Sequence, residues 1–248
     1  IGNLIPKPEI ADMGAVFGGV EVIHSRAYAE ILEKLGFNDE FEALMKEPII
    51  TKRVDYLTKY LNKIYKNDHK NICYSLTLFT LFTENVSLFS QFYAILGFNR
   101  YRNVIKDVAN VVAYTSKEEN LHAEGGIALI NQLRAEYPET FDEEFIHRIQ
   151  SEAIEAFQAE SAIIKWILNG YSNDFLSESI LTAYIGNRLN ESLERIGIPP
   201  VINVIKSDFD KTIWMDEMVF APAITDFFHK RPIDYTKKDK SYDVNDLF

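Results

Sequence analysis

The chain has 248 residues, 47% apolar and 13% aromatic, which is enough to fill the core of one large domain or two small ones and excludes disordered, collagenous and low-complexity scaffolds. With 26 Lys and Arg against 37 Asp and Glu, the formal net charge is −11. That removes any general electrostatic attraction to nucleic acid or anionic lipid and leaves proteins or small molecules as partners.

Glycine (11) and proline (8) are sparse, and apolar residues recur mainly at spacings of three and four, so the chain reads as almost entirely helical. In chain order the pattern predicts helices over 8–35, 38–46, 51–65, 70–96, 101–136, 142–168 and 175–196. Breakers separate them at Gly36-Phe37-Asn38, Glu47-Pro48, Gly97-Phe98-Asn99, Tyr137-Pro138 and Gly170-Tyr171-Ser172. Several of these helices are long, and long antiparallel helices pack as a bundle. From residue 71 to 99 there is no Lys or Arg, and the only formal charge is Glu84. The run is long enough to cross a bilayer, but its Ser and Thr, Asn85 and Gln91, and the lack of a second such segment favour a buried core helix and no membrane. Cys73, the single cysteine, lies in this run; it can form no intramolecular disulfide and is expected as a buried thiol in a reducing, cytoplasmic setting. No signal peptide is visible, and because the sequence opens on Ile1 rather than Met, a missing or processed start is expected. After Gly197-Ile198-Pro199-Pro200 the helical pattern loosens. The expected organisation is a helical domain over 1–230 and a flexible, charged tail over 231–248 that ends in Leu247-Phe248.

Three segments carry candidate chemistry. Glu21 and His24 stand at i and i+3 in an otherwise apolar helix, so both lie on one face and can reach one metal ion. Alone, that pair is equally a surface acid and a satisfied histidine. Glu119 and His122 repeat the spacing, and here the register is informative. Val108, Val112, Thr115, Glu119, His122 and Gly126 follow at steps of four and three, which puts both polar groups on the inward stripe. Glu118 is then a neighbouring or surface acid. Glu84 sits in the least polar helix with Thr80, Leu81, Leu88 and Phe92 on its own side, and an unpaired carboxylate there would tend to be protonated.

A dinuclear metal site satisfies all three segments at once. Carboxylate-bridged di-metal bundles of the ferritin-like class use one Glu on each of two helices and Glu-x-x-His on each of two others. The chain supplies all but one lone carboxylate, expected upstream of Glu21, with Glu155 or Glu160 as alternatives on a later helix. Tyr28 falls on the face of Glu21 and His24, one turn beyond them. Most tyrosines so placed simply pack, yet beside an oxygen-activating metal pair a buried phenol is also a one-electron store.

The segments GVEVIHSRAYAEIL and SKEENLHAEGG, with Glu84 between them, resemble the metal core of the small, radical-generating subunit of class I ribonucleotide reductase. Glu21 to Glu84 is 63 residues and Glu84 to Glu119 is 35, in keeping with compact members of that family. The likeness continues through IQSEAIEAFQAESAIIKWIL, AYIGNRLNESLERIG, IWMDEM and TDFFHKRPIDY. It implies an all-α, ferritin-like di-metal carboxylate bundle in which Glu21, His24, Glu84, Glu119 and His122 ligate two iron ions, or manganese in some relatives. Tyr28 would hold the radical, Glu118, Leu88 and Phe92 would line the site, and Tyr235 would relay the oxidising equivalent. Tyr242, Leu247 and Phe248 would dock the tail on the large catalytic subunit, which must carry the dithiol chemistry that a lone cysteine cannot.

The family's first ligand helix and relay tryptophan are not in this sequence, Leu88 stands where phenylalanine is expected, and Glu118 where aspartate is common. The expectation is therefore a C-terminal piece of a small subunit, completed by a separate chain that brings the N-terminal helices and assembled as a homodimer. A di-iron oxidase or oxygenase of the same bundle class, and a metal-free helical interaction protein, are the alternatives.

Overall fold

The structure, a computed structural model, describes residues 7–59 and 68–220. Its elements are helices α1 (Pro8–Leu35), α2 (Asn38–Leu44), α3 (Pro48–Leu57), α4 (His69–Thr77), a π-helical segment (Leu78–Glu84), α5 (Phe89–Arg102), α6 (Lys106–Glu136), a 3₁₀ turn (Pro138–Phe141), α7 (Glu143–Leu168), α8 (Glu178–Arg195), α9 (Lys206–Phe209) and α10 (Ile213–Phe220). Among the described residues there is no strand.

Local sequence sets most of the boundaries. α1 starts with Pro8 at its first position and stops at Gly36, whose φ of 74° reverses the chain while its N–H returns to Glu33 O. Side chains cap α4 (Asp68), α7 (Asp142) and α8 (Ser177), each accepting from a backbone N–H of the first turn. Three predicted boundaries move. α3 begins at Pro48 rather than 51, and the remainder of that predicted helix past Lys59 lies outside the described residues. α6 begins at Lys106 rather than 101, because Asn103 and Ile105 both adopt left-handed φ values of 59° and 51°.

The third difference concerns the apolar run. The single helix predicted over 70–96 is three pieces: α4, the π segment, and α5 after a turn over 85–88, and α5 does not stop at the predicted breaker Gly97-Phe98-Asn99 but runs through it to Arg102. Ser87 closes that turn, its N–H and its hydroxyl both donating to Phe82 O at 2.9 and 2.8 Å. Leu88 takes a φ of 72°. The whole stretch His69–Arg102 is long and apolar enough to cross a membrane, but 83% of its most apolar window is buried inside the protein. It is the central strut of the bundle. Leu81, Phe82, Val86 and Phe89 are fully buried, in one core cluster with Ile130, Ile149 and Leu189 of α6, α7 and α8.

α6 and the π segment approach unusually closely, at Gly126. A Cβ there would lie 2.9 Å from Thr80 Cβ and closer still to its γ atoms. Gly126 is one turn after His122 and Thr80 one turn before Glu84, so this glycine sets how near two site-bearing elements come. Gly126→Ala is expected to destabilise by about 1–3 kcal/mol through overpacking, whereas Gly19→Ala, with nothing within 4 Å of its added Cβ, is expected to be neutral or stabilising; urea denaturation of the two variants checks this.

Candidate metal centre

Three elements converge on one spot. α1 brings Glu21 and His24, the π segment ends on Glu84, and α6 brings Glu119 and His122. α1 runs antiparallel to α6, with Lys7 bonded to Glu136 at one end and His24 to Glu118 at the other. Ligand-capable atoms of Glu21, Glu84, Glu119 and His122 all lie within 4.8 Å of one another. His24 falls outside that tightest group but faces two of its members.

The two shared carboxylates define the arrangement. Glu21 places Oε2 3.6 Å from His24 Nδ1 and Oε1 3.1 Å from His122 Nδ1. Glu119 does the same in mirror fashion, with Oε1 3.1 Å from His24 Nδ1 and Oε2 3.6 Å from His122 Nδ1. Each carboxylate therefore presents one oxygen to each imidazole, which is how a carboxylate bridges two ions. Of the two imidazoles, Glu84 pairs with that of His122, at 3.4 Å, and it also adjoins Glu119. Among the described residues no third carboxylate pairs with His24 Nδ1.

The electrostatics are those of a site built for cations. Among the described residues, no Lys or Arg pairs with Glu21, Glu84 or Glu119; their only ion-pair partners are the two histidines. Burial raises the pKa of Glu119, with the adjacent Glu84 adding to the rise, and burial followed by the Glu119 charge raises Glu21. For His122, burial pulls the pKa down but hydrogen bonding and attraction to Glu119 and Glu84 outweigh it, and the imidazole is pushed up to about 10. His24 Nδ1 is buried with no hydrogen bond, although Glu119 Oε1 is 3.1 Å away. Two acceptors aimed at a common point rather than at each other suit a metal ion between them. The mixed carboxylate and imidazole donors fit iron or manganese better than softer ions.

The surroundings hold the ligands in place. Glu118, one residue before Glu119 and turned outward, bonds His24 Nε2 at 2.7 Å and thereby directs Nδ1 inward. Phe17, four residues before Glu21, lies against His122 with ring centroids 4.2 Å apart; sequence reasoning did not single it out, although its spacing from Glu21 was visible. Tyr28 packs at the core margin with its hydroxyl buried and without a hydrogen bond. Burial raises its pKa, Thr115 opposing and Glu119 reinforcing, so the phenol stays protonated. Phe92 is buried on α5.

Leu88 is not where the sequence pattern put it. It is 41% exposed, because the π segment and the left-handed turn break the α-helical register that would have kept it on the Glu84 face. Glu155 and Glu160 do not reach the cluster either: Glu155 bonds Lys59 at 2.5 Å, and fully buried Glu160 takes a bidentate pair from Arg53 at 3.0 and 3.1 Å. Tyr235, Tyr242, Leu247 and Phe248 lie outside the described residues.

A helical bundle carrying Glu-x-x-His on two helices and a lone Glu on a third, with two carboxylates shared between two imidazoles, defines the class of ferritin-like dimetal carboxylate proteins. The ribonucleotide reductase small chain family matches residues 1–208, and the chain belongs to that family. It is 23% identical to a ribonucleoside-diphosphate reductase small subunit assigned in Invertebrate iridescent virus 3, over 95% of this chain and 65% of the relative. Against the corresponding protein of Invertebrate iridescent virus 6 it is 28% identical over 92% of this chain and 72% of the relative. The beta subunit of Chlamydia pneumoniae is 24% identical, over 87% and 63%. The chain thus spans less than two thirds of the first and third of these relatives. The fold matches a Bacillus halodurans chain assigned to class I ribonucleotide reductase with a TM-score of 0.78 at 18% identity, covering 88% of this chain and 78% of that one.

The raised His122 pKa has a signed consequence. A group that binds its proton more tightly folded than unfolded, here about 10 against 6.5, stabilises the metal-free fold below the unfolded value and loses that contribution as pH rises through the folded one. Glu21 and Glu119, also raised, act in the same direction from 4.5 upward. The thermal midpoint of metal-free protein is therefore expected to fall from neutral toward alkaline pH, and manganese or iron, replacing the protons, is expected to flatten that fall; melting curves with and without metal across this range check it.

Proposed function

We propose that this chain forms the radical-generating small subunit of a class I ribonucleotide reductase, an oxidoreductase active only with partner chains. Glu21, His24, Glu84, Glu119 and His122 would hold two iron ions, with manganese as the alternative metal. The observation that carries the reading is the pair of carboxylates, Glu21 and Glu119, each divided between the same two imidazoles. When bound, the metal pair supplies an oxidising equivalent from dioxygen.

This chain's residues do the rest. Glu118 holds the His24 ring through Nε2, so the ring cannot turn its inward nitrogen away. The Phe17 ring, packed against His122, would shield that imidazole from water. Tyr28 would give up one electron to the oxidising equivalent and its Oη proton toward Glu119, the carboxylate whose charge it feels, to leave a neutral tyrosyl radical that apolar packing protects. In the tail, Tyr235 would pass the equivalent onward. Tyr242, Leu247 and Phe248 would anchor the segment on the large catalytic subunit, where ribonucleotides are reduced to deoxyribonucleotides. A domain over 1–230 with a docking tail over 231–248, in the cytoplasm, completes the proposal.

α1 supports a further partner. Of its 28 residues only His24 is buried, and Val16, Val22 and Ile23 are exposed, as are Tyr114 and Leu121 of α6. The Glu21 side chain, 49% exposed, shows that the site is open on this flank. A segment packing there would cover apolar surface and supply the carboxylate that His24 Nδ1 lacks. The proposal assigns it to a separate chain, the assembled subunit being a homodimer.

Native mass spectrometry with metal analysis is expected to show about two metals per assembled small subunit together with a co-purifying chain. Tyr28→Phe is expected to keep the metals and abolish the paramagnetic radical signal. A fully metallated protein without that signal would turn the reading to a di-metal oxidase, and a lone, metal-free chain to a helical interaction protein.

A further inference from the structure

Beyond the metal cluster, the most heavily bonded polar group in the core is Arg188, on α8. It is 3% exposed and stacks over the Phe89 ring at 3.6 Å. Its Nε donates to the backbone O of Asn85 at 2.8 Å and its Nη2 to Asn85 Oδ1 at 2.5 Å, while Nη1 reaches Asp216 Oδ1 of α10 at 3.3 Å. Asn85 Nδ2 donates to Ser192 Oγ, whose hydroxyl donates in turn to Arg188 O at 2.7 Å. Every polar side-chain atom of Asn85, and its carbonyl, is thus held by α8.

Asn85 is the residue after Glu84, at the point where the π segment ends and the chain enters the turn to Leu88. A helix end leaves carbonyls without intrahelical partners, and a buried one must find others. Here the partner is a guanidinium whose planar fork fixes position and direction together, as an ammonium would not. Among the described residues no lysine or arginine holds Glu84; its ion-pair partner is His122. The backbone that carries it is fixed from the far side instead.

We propose that Arg188 is a positioning residue for Glu84: by clamping Asn85 to α8 it sets the height and rotation of the last π-helical residue, and hence the distance between the Glu84 carboxylate and the metal pair. The inference rests on the reading of the cluster as a metal centre. It also gives α10 a mechanical link to the site, since Asp216 holds the other side of the same guanidinium.

The test is a Mn(II) titration of the full chain, with any chain that co-purifies, alongside its thermal midpoint. Arg188→Lys keeps a charge beside Asp216 but cannot make the fork to Asn85, and a lost outer-sphere contact of this kind costs about tenfold in metal affinity. Asn85→Ala removes the side-chain clamp while leaving the Arg188–Asp216 pair, and is expected to weaken binding in the same direction. Arg53→Lys is the comparator, because it weakens another buried bidentate pair, to Glu160, outside the metal cluster. It is expected to lower the midpoint comparably and to leave Mn(II) affinity within about twofold, well short of the tenfold loss. The proposal is overturned if Arg188→Lys and Asn85→Ala bind Mn(II) as the unmodified chain does, or if Arg53→Lys weakens binding as much, for the effect would then follow stability alone. An unmodified chain that takes up no Mn(II) overturns the metal-centre reading first, before any variant is compared, and this inference with it.

Discussion

Three carboxylates meet in a helical bundle, Glu84 and Glu119 buried and Glu21 at its open edge, and among the described residues no lysine or arginine neutralises them. Burying such a cluster without compensation costs several kcal/mol per charge, and protons shared with two imidazoles satisfy it only partly, as the raised pKa values of Glu21, Glu119 and His122 show. Cations held by these carboxylates would remove the conflict. The surrounding structure follows from this constraint: each element that carries a ligand is held in place by its neighbours.

Those contacts are of different kinds at the three elements. α6 is anchored through its inward stripe, where Val112, Thr115, Glu119, His122 and Ile130 are all buried, and it approaches the π segment only because residue 126 has no side chain. The π segment is fixed at its end by Ser87 and by the Asn85 contacts to α8. α1 is the least supported, touching α6 along one edge, and its hold on the site depends on Glu118 grasping His24 from outside. A site with two firm walls and one lightly held wall is rigid where Glu84 and Glu119 sit and open where Glu21 sits. That asymmetry is why the exposed flank of α1 is where a further segment is expected.

Much of this was legible from spacing alone. Glu119 and His122 could be placed on an inward face, and Glu21 and His24 on one face of their helix, because α1 and α6 are regular helices, and a regular helix converts sequence separation directly into angular position. The same rule failed for Leu88. A wider turn followed by a left-handed residue changes the angle per residue, and nothing in LFTLFTENVSL announces that change, since a π turn is stabilised by packing and not by any residue preference. Glu160 failed for another reason: an inward carboxylate looks the same in sequence whether its partner is a metal or an arginine, and Arg53 is more than a hundred residues away.

The sequence by itself determined the class of fold, the family, the five candidate ligands and the run of helices that carries them, because each depends on local periodicity, capping and short-range spacing. Only the tertiary structure decided that Glu21 and Glu119 divide their oxygens between the same two histidines, that of these two Glu84 pairs with His122, and that Arg188 holds the turn behind it. These are relations between residues brought together from separate helices, and their geometry is set by packing, which no single segment of the chain encodes.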